Sequence, residues 1–250
     1  MYKKGSVVYM KFAELLAEKA ADIYGKKEPV IAFLGDSVTQ GCFEVYDISE
    51  TAVETVYEGK NGYAEKLSRI FSVLYPNVPV GVINAGVSGC GAPNGLERLQ
   101  RDVLCHKPDL VVVCFGLNDC GNGKEKIAAY LDALKGIFQS CREAGAEVLF
   151  MTPNMMATKT DPRILSPLCR KIAGQLSELQ NDGTLDLYIQ QAIELCRAEC
   201  VPVCDCYARW KRLYALGADT TALLSNYLNH PTRDMHWLFA AALADTILFS

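Results

Sequence analysis

The sequence has no apolar stretch approaching the roughly 18 residues that a membrane-spanning helix needs. It has no dense run of Lys or Arg, and its formal net charge is −4. It therefore lacks the electrostatic footprint of a nucleic-acid partner. No secretory leader is expected either. Two lysines stand near the start, but the apolar stretch 7–10 is too short for an h-region and Lys11 interrupts it. These absences predict a soluble, cytoplasmic chain with no nucleic-acid partner and no membrane span.

Nucleotide-binding glycine patterns are also missing. Gly89-Cys90-Gly91 is followed by Asn94 where a dinucleotide loop needs its third glycine. Lys124 follows Gly123, but no glycine stands at the phosphate-loop spacing before it and no Ser or Thr follows. No cofactor is expected. Cysteine is plentiful, at 11, yet no CxxC pair occurs. An odd count without an export signal argues against a disulfide framework. The densest group, Cys196, Cys200, Cys204 and Cys206, reads as small buried thiols rather than a metal site. No metal is expected.

What is present fits one globular domain over residues 1–250, with 50% hydrophobic and 22% charged residues. An N-terminal helix over 8–25 has Phe12, Leu15, Leu16 and Ala20 at helical spacing and packs on the rest. Five apolar runs read as strands: 30–34, 80–84, 110–115, 147–152 and 201–204. Continuous rather than alternating apolar runs are expected of strands buried on both faces. Helical patterns alternate with them at 62–74, 95–104, 124–144, 184–199 and 233–249. This alternation predicts an α/β domain, three layers deep (α/β/α), with a parallel sheet of about five strands. Two long excursions, 43–60 and 153–183, interrupt the pattern and are candidate binding loops.

In such a sheet ligands bind beyond the C-terminal strand ends. After the first strand comes Gly35-Asp36-Ser37, which alone is equally a turn with a helix N-cap. After the second comes Gly86-Val87-Ser88-Gly89, where glycine can bare an N–H to a ligand. Ser88 itself is no nucleophile elbow, because the pattern ends in Cys90 rather than Gly. After the third comes Gly116-Leu117-Asn118-Asp119, which can aim an amide donor into the same opening. Of three histidines, His230, followed by Pro231, lies in a polar turn before the last helix.

Four such segments, in this order and at roughly this spacing, resemble the blocks of the SGNH/GDSL hydrolases. The resemblance covers about residues 30–245 and implies that family's flavodoxin-like sheet. It implies Ser37 as nucleophile and His230 as general base. It implies an oxyanion hole from the Ser37 and Gly89 N–H groups and the Asn118 side-chain amide. Such residue types suit acyl transfer. A serine hydroxyl is a poor nucleophile until a base takes its proton, and the tetrahedral intermediate needs fixed donors for its new charge.

One departure stands out. Tyr227 occupies the position three before the histidine, where the family usually has Asp. Asn226 is then the expected orienting group for His230, with a bare Ser–His dyad helped by a carbonyl, or by an acid such as Asp205, as alternatives. His236 is the rival base, with Asp234 close in sequence; the resemblance favours His230. Cys42, Cys90 and Cys120 lie near the blocks and are expected to pack at the pocket wall. The implied activity is a serine ester hydrolase of small-molecule or carbohydrate esters, with carbohydrate O-acetyl esters favoured and Tyr46, Tyr57 and Trp237 compatible with a sugar. A degenerate ligand-binding member of the fold and an acyltransferase are the alternatives.

Overall fold

A computed structural model describes residues 10–249. Its central sheet contains β1 (Val30–Gly35), β4 (Gly81–Gly86), β5 (Leu110–Cys114), β6 (Glu147–Met151) and β7 (Val203–Cys204). Every pairing is parallel and the order is β4-β1-β5-β6-β7. This is the 2-1-3-4-5 order of a flavodoxin-like sheet, in which the chain reverses direction across β1 and opens a crevice at the strand ends.

The strands at the centre are buried throughout, as continuous apolar runs predict. Ile31, Ala32, Phe33 and Leu34 of β1 and all five residues of β5 are inaccessible. Burying one such Leu, Phe or Val contributes about 1.5–3 kcal/mol. The expectation of two-sided burial fails at the edges. β4 is mostly half-exposed, and β7 is only two residues long. An edge strand has one neighbour, so its outer row stays open to solvent.

Helices cover both faces. On one lie α1 (Lys11–Ala21), α3 (Tyr63–Leu74) and α10 (His236–Phe249); on the other lie α4 (Ala92–Asp102), α6 (Ile127–Glu143) and α8 (Thr184–Ala198). The expected N-terminal helix is shorter than 8–25, ending at Ala21, and positions 8–9 lie outside the described residues.

Both excursions contain regular structure. Residues 43–60 are mostly a β-hairpin, with β2 (Cys42–Asp47) antiparallel to β3 (Val53–Tyr57). Its polar faces stay in solvent, so no apolar period marks it. Residues 153–183 include α7 (Pro167–Asn181), started by Pro167 and by Ser166, whose Oγ accepts from Cys169 N–H at 3.0 Å. A further helix, α9 (Cys206–Ala215), follows β7 directly. The side chain of Asp205 caps it, accepting from Ala208 N–H at 3.0 Å.

Candidate active site

β1 ends at Gly35, and the four-residue helix α2 (Ser37–Gln40) starts at once. Asp36 caps it, its Oδ1 accepting from Val38 N–H at 2.9 Å. Capping and nucleophile placement therefore coexist: the cap turns the chain so that Ser37 is the first helical residue. The turn is held from below. The buried Arg98 guanidinium donates to Gly35 O at 2.8 Å and to Ala85 O at 2.6 Å, tying the ends of β1 and β4 together. Gly86 must be glycine, since a Cβ there would lie 2.2 Å from Gln40 N.

The structure brings Ser37 and His230 together. Ser37 Oγ lies 2.9 Å from His230 Nε2, and both side chains are about 95% buried, with relative exposures of 4% and 5%. On its other side His230 Nδ1 lies 2.8 Å from Phe43 O. A carbonyl oxygen only accepts, so Nδ1 carries the ring proton. Nε2 is then left free to accept from the serine hydroxyl. Burial pushes the His230 pKa down to about 4, outweighing the opposing pull of the Phe43 carbonyl and the Glu44 charge. The imidazole is therefore neutral at pH 7 and able to take a proton.

Phe43 reaches His230 because the hairpin is irregular at that point. Cys42 pairs with Tyr57 and Val45 with Thr55, so Phe43 and Glu44 together face the single residue Val56. This is a β-bulge, which takes a residue out of the ladder and re-aims it. Glu44 meets Arg233, whose Nη1 and Nη2 donate to its two oxygens at 2.7 and 2.9 Å. Arg233 also grips Glu58, through Nε at 2.9 Å and through Nη2. Its guanidinium lies 4.4 Å from the Phe43 ring centre.

Asn226 does not touch the imidazole, which corrects the expectation for it. Its Oδ1 accepts from the N–H groups of Leu228, Asn229 and His230, each at 3.0 Å. It shapes the loop that carries His230 and leaves the ring nitrogen to Phe43. Tyr227 sits at positive φ, +57°, in that loop, with the Arg163 guanidinium 4.3 Å from its ring centre. Asp205, the alternative acid, is taken up by the α9 cap and by Thr152 Oγ1 at 2.9 Å. His236 is fully buried in an aromatic cage of Phe43, Tyr63 and Phe239, and its Nδ1 accepts from Tyr63 N–H at 3.0 Å. Among the described residues no hydrogen bond joins it to Ser37 or His230.

Gly89 and Asn118 line one cavity of about 530 Å³, with Asn94, Asp119, Asn122 and Lys126. Gly89 has φ +76°, a value that L side chains rarely adopt, and its N–H has no partner among the described residues. Asn118 belongs to the short helix α5 (Leu117–Cys120), and its Nδ2 donates to Cys90 O at 2.9 Å. That bond uses one of its two amide hydrogens and links the Asn118 segment to the Gly89 loop. Asp119 makes a second link, its Oδ1 accepting from Ala92 N–H at 2.8 Å while its buried Oδ2 has no partner. Burial raises the Asp119 pKa to about 6 and that of Asp36 to about 7, the latter also through repulsion from Asp119.

Cys42 and Cys120, beside the site, are poor nucleophiles. Burial pushes the Cys42 thiol up to about 11 and that of Cys120 up to about 12. Cys204 and Cys206 lie Sγ to Sγ at 3.8 Å, both buried. Among the described residues no three His, Cys, Asp or Glu side chains converge as a metal site requires. No helix among them is long and apolar enough to cross a membrane.

Sequence reasoning allowed a carbonyl to help a Ser–His dyad but did not identify it as that of Phe43, and it missed the Arg233 clamp. Every residue type has a carbonyl, so no letter in the sequence marks this one. Arg233 and Glu58 are 175 positions apart, and only the fold makes them neighbours.

Comparisons with known proteins bear on the fold and the family. Over 133 residues the chain is 27% identical to an acetylxylan esterase of Geobacillus stearothermophilus, a match spanning 49% of this chain and 58% of that relative's length. The crystal structure of an acetylxylan esterase from the same organism superposes with a TM-score of 0.64 at 21% identity, covering 89% of this chain and 95% of that one. A two-domain esterase active on acetylated mannans superposes with a TM-score of 0.63 at 18% identity, covering 95% of this chain and 53% of that one. At these identities the structural likeness is one of fold. The family model for GDSL-like lipases and acylhydrolases matches residues 33–238, and the chain belongs to that family.

Proposed function

We propose that the protein is a serine ester hydrolase that removes acetyl groups from carbohydrate esters. The observation that carries this reading is the 2.9 Å contact between Ser37 Oγ and His230 Nε2, with Nδ1 of the same ring held at Phe43 O.

In this mechanism Ser37 Oγ attacks the acyl carbon while its proton passes to His230 Nε2. The carbonyl oxygen takes the negative charge and is met by the N–H groups of Ser37 and Gly89 and by an Asn118 Nδ2 hydrogen. Collapse of the intermediate expels the sugar alkoxide, which takes the proton back from Nε2. Water then gives a proton to Nε2 and attacks the acyl-serine. The second tetrahedral intermediate releases the acid and returns the proton to Ser37. The imidazolium formed along the way has no partner carboxylate. The Phe43 carbonyl dipole and the nearby Glu44 charge stabilise it instead.

The acetyl-sugar preference rests on the acetylxylan esterase relative and on the character of the cleft. The cavity beside Gly89 carries Asn94, Asn118, Asn122 and Lys126, with Ser37 and His230 outside its lining, and Tyr46 and Tyr57 stand exposed on the hairpin. Acetate release from acetylated xylo-oligosaccharides, with slow turnover of long-chain acyl esters, is the expected result. Turnover confined to long acyl chains would overturn the carbohydrate assignment. Tyr227 in place of an Asp favours a second reading, a binding protein on the same fold; it predicts no Ser37 adduct with an organophosphonate probe.

A further inference from the structure

The β2–β3 hairpin supplies the only contact among the described residues to His230 Nδ1, and that contact is a backbone atom. A backbone acceptor is only as well placed as the segment that carries it. β2 and β3 form a two-stranded sheet separate from the central one, and isolated hairpins are marginal by themselves. Something must fix the Phe43 carbonyl relative to the His230 loop.

Arg233 is built to do this. It lies three residues after His230 and donates to both oxygens of Glu44, the residue next to Phe43 in the bulge. It holds Glu58 just past β3 with the same guanidinium, and its plane packs on the Phe43 ring. One side chain thus ties the bulge, the far end of the hairpin and the histidine loop together. Bidentate Arg–carboxylate pairs fix geometry as well as charge.

We infer that Arg233, through Glu44 and Glu58, is the positioning residue that holds the Phe43 carbonyl on His230, in place of the carboxylate that a Ser–His–Asp site would use. The clamp rests on the Ser37–His230 reading. It makes hairpin placement a condition of catalysis: His230 has its tautomer and direction only while the hairpin is latched.

The charged and titratable groups around the ring are Glu44 on β2, His236 on α10 and, through Glu44, Arg233 and Glu58. Releasing the clamp leaves Glu44 without its cation and opens the ring to water. Both changes favour the imidazolium.

The test is p-nitrophenyl acetate hydrolysis by wild type, Ser37→Ala, Arg233→Ala, Arg233→Lys and Glu44→Gln, with kcat and KM resolved across pH and active sites titrated by an organophosphonate. Arg233→Ala is expected to lower kcat by about 10- to 100-fold, as a small misplacement of a reacting group does. Its KM is expected to stay within about threefold, because the clamp does not touch substrate. The acidic limb of its pH profile is expected to move to higher pH. Lysine, which keeps the charge but loses the fork, is expected to recover only part of the rate. If the Arg233→Ala chain does not fold, Glu44→Gln carries the same kcat and KM expectations at smaller size; its acidic limb is not expected to rise, because the Glu44 charge that favours the imidazolium is itself removed. Serine-dependent wild-type turnover with kcat and pH limb unchanged in these variants would overturn the clamp. Wild-type turnover equal to that of Ser37→Ala would overturn the underlying Ser37–His230 reading instead.

Discussion

Phe43 offers its backbone oxygen to His230 Nδ1 at 2.8 Å, on the side of the ring opposite Ser37. The orienting role thus falls to a β-bulge far away in sequence rather than to the position three residues before the histidine. A neutral carbonyl fixes the tautomer as a carboxylate would, but brings no full charge to the imidazolium. Three consequences for the site and one for stability can be measured.

The two histidines of the C-terminal segment separate cleanly. His230→Ala removes the base and is expected to cost about 10³-fold or more in kcat, as loss of a catalytic base does elsewhere. His236→Ala empties an aromatic cage and is expected to lower stability by about 3 kcal/mol, on the scale of large-to-small core changes. Its kcat per titrated site should stay within about fivefold of wild type. Steady-state kinetics and thermal denaturation of the two variants check this; the reverse pattern would move the base to His236.

The pH profile should be wide on its acid side. Burial holds the His230 pKa at about 4, below the 6.5 usual for histidine. The base is competent only when neutral, so kcat/KM should be half-lost near pH 4 and level from about pH 5 to neutrality. A half-maximum near 6.5 would mean that the ring is solvated in the working enzyme.

Asn118→Ala removes an amide donor from the cavity and its link to Cys90 O. The expected loss is about 10²–10³-fold in kcat with little change in KM, the cost of one oxyanion donor. A loss confined to KM would place Asn118 in ground-state binding instead.

Asp119 makes stability depend on pH. Burial raises its pKa from 3.8 to about 6. Between those values the folded chain keeps a proton that the unfolded chain has lost, so this carboxyl erodes stability as pH rises from about 4 to about 6. The shift corresponds to roughly 3 kcal/mol. Asp119→Asn keeps the acceptor for Ala92 N–H and drops the ionisation. Its Tm relative to wild type should therefore rise by roughly 5–10 °C between pH 4 and pH 7. An equal difference at both pH values would contradict the buried ionisation.

The sheet was legible because its central strands must be apolar on both faces, and 30–34 and 110–115 could hardly be anything else. The edge strands, the hairpin and α9 were harder for one shared reason: they are half-exposed, so burial imposes little pattern on them. Ser37, Gly89, Asn118 and His230 were singled out through block order, since each follows a strand or precedes the last helix, and the fold brings Ser37 and His230 to 2.9 Å. Asn226 misled because its spacing suits an orienting residue, while its short side chain serves three backbone N–H groups of its own loop. The Phe43 carbonyl depends on a register shift in a hairpin, which is a property of backbone pairing and leaves no side-chain trace.

The central claim is that Ser37 does covalent chemistry with His230 as its base. The most direct measurement is hydrolysis of p-nitrophenyl acetate by wild type and Ser37→Ala side by side, with mass spectrometry for an acyl or phosphonyl adduct. Turnover by wild type, its loss in Ser37→Ala and an adduct on the Ser37 peptide are the expected result. Equal rates in the two proteins, with no adduct on Ser37, would contradict the account.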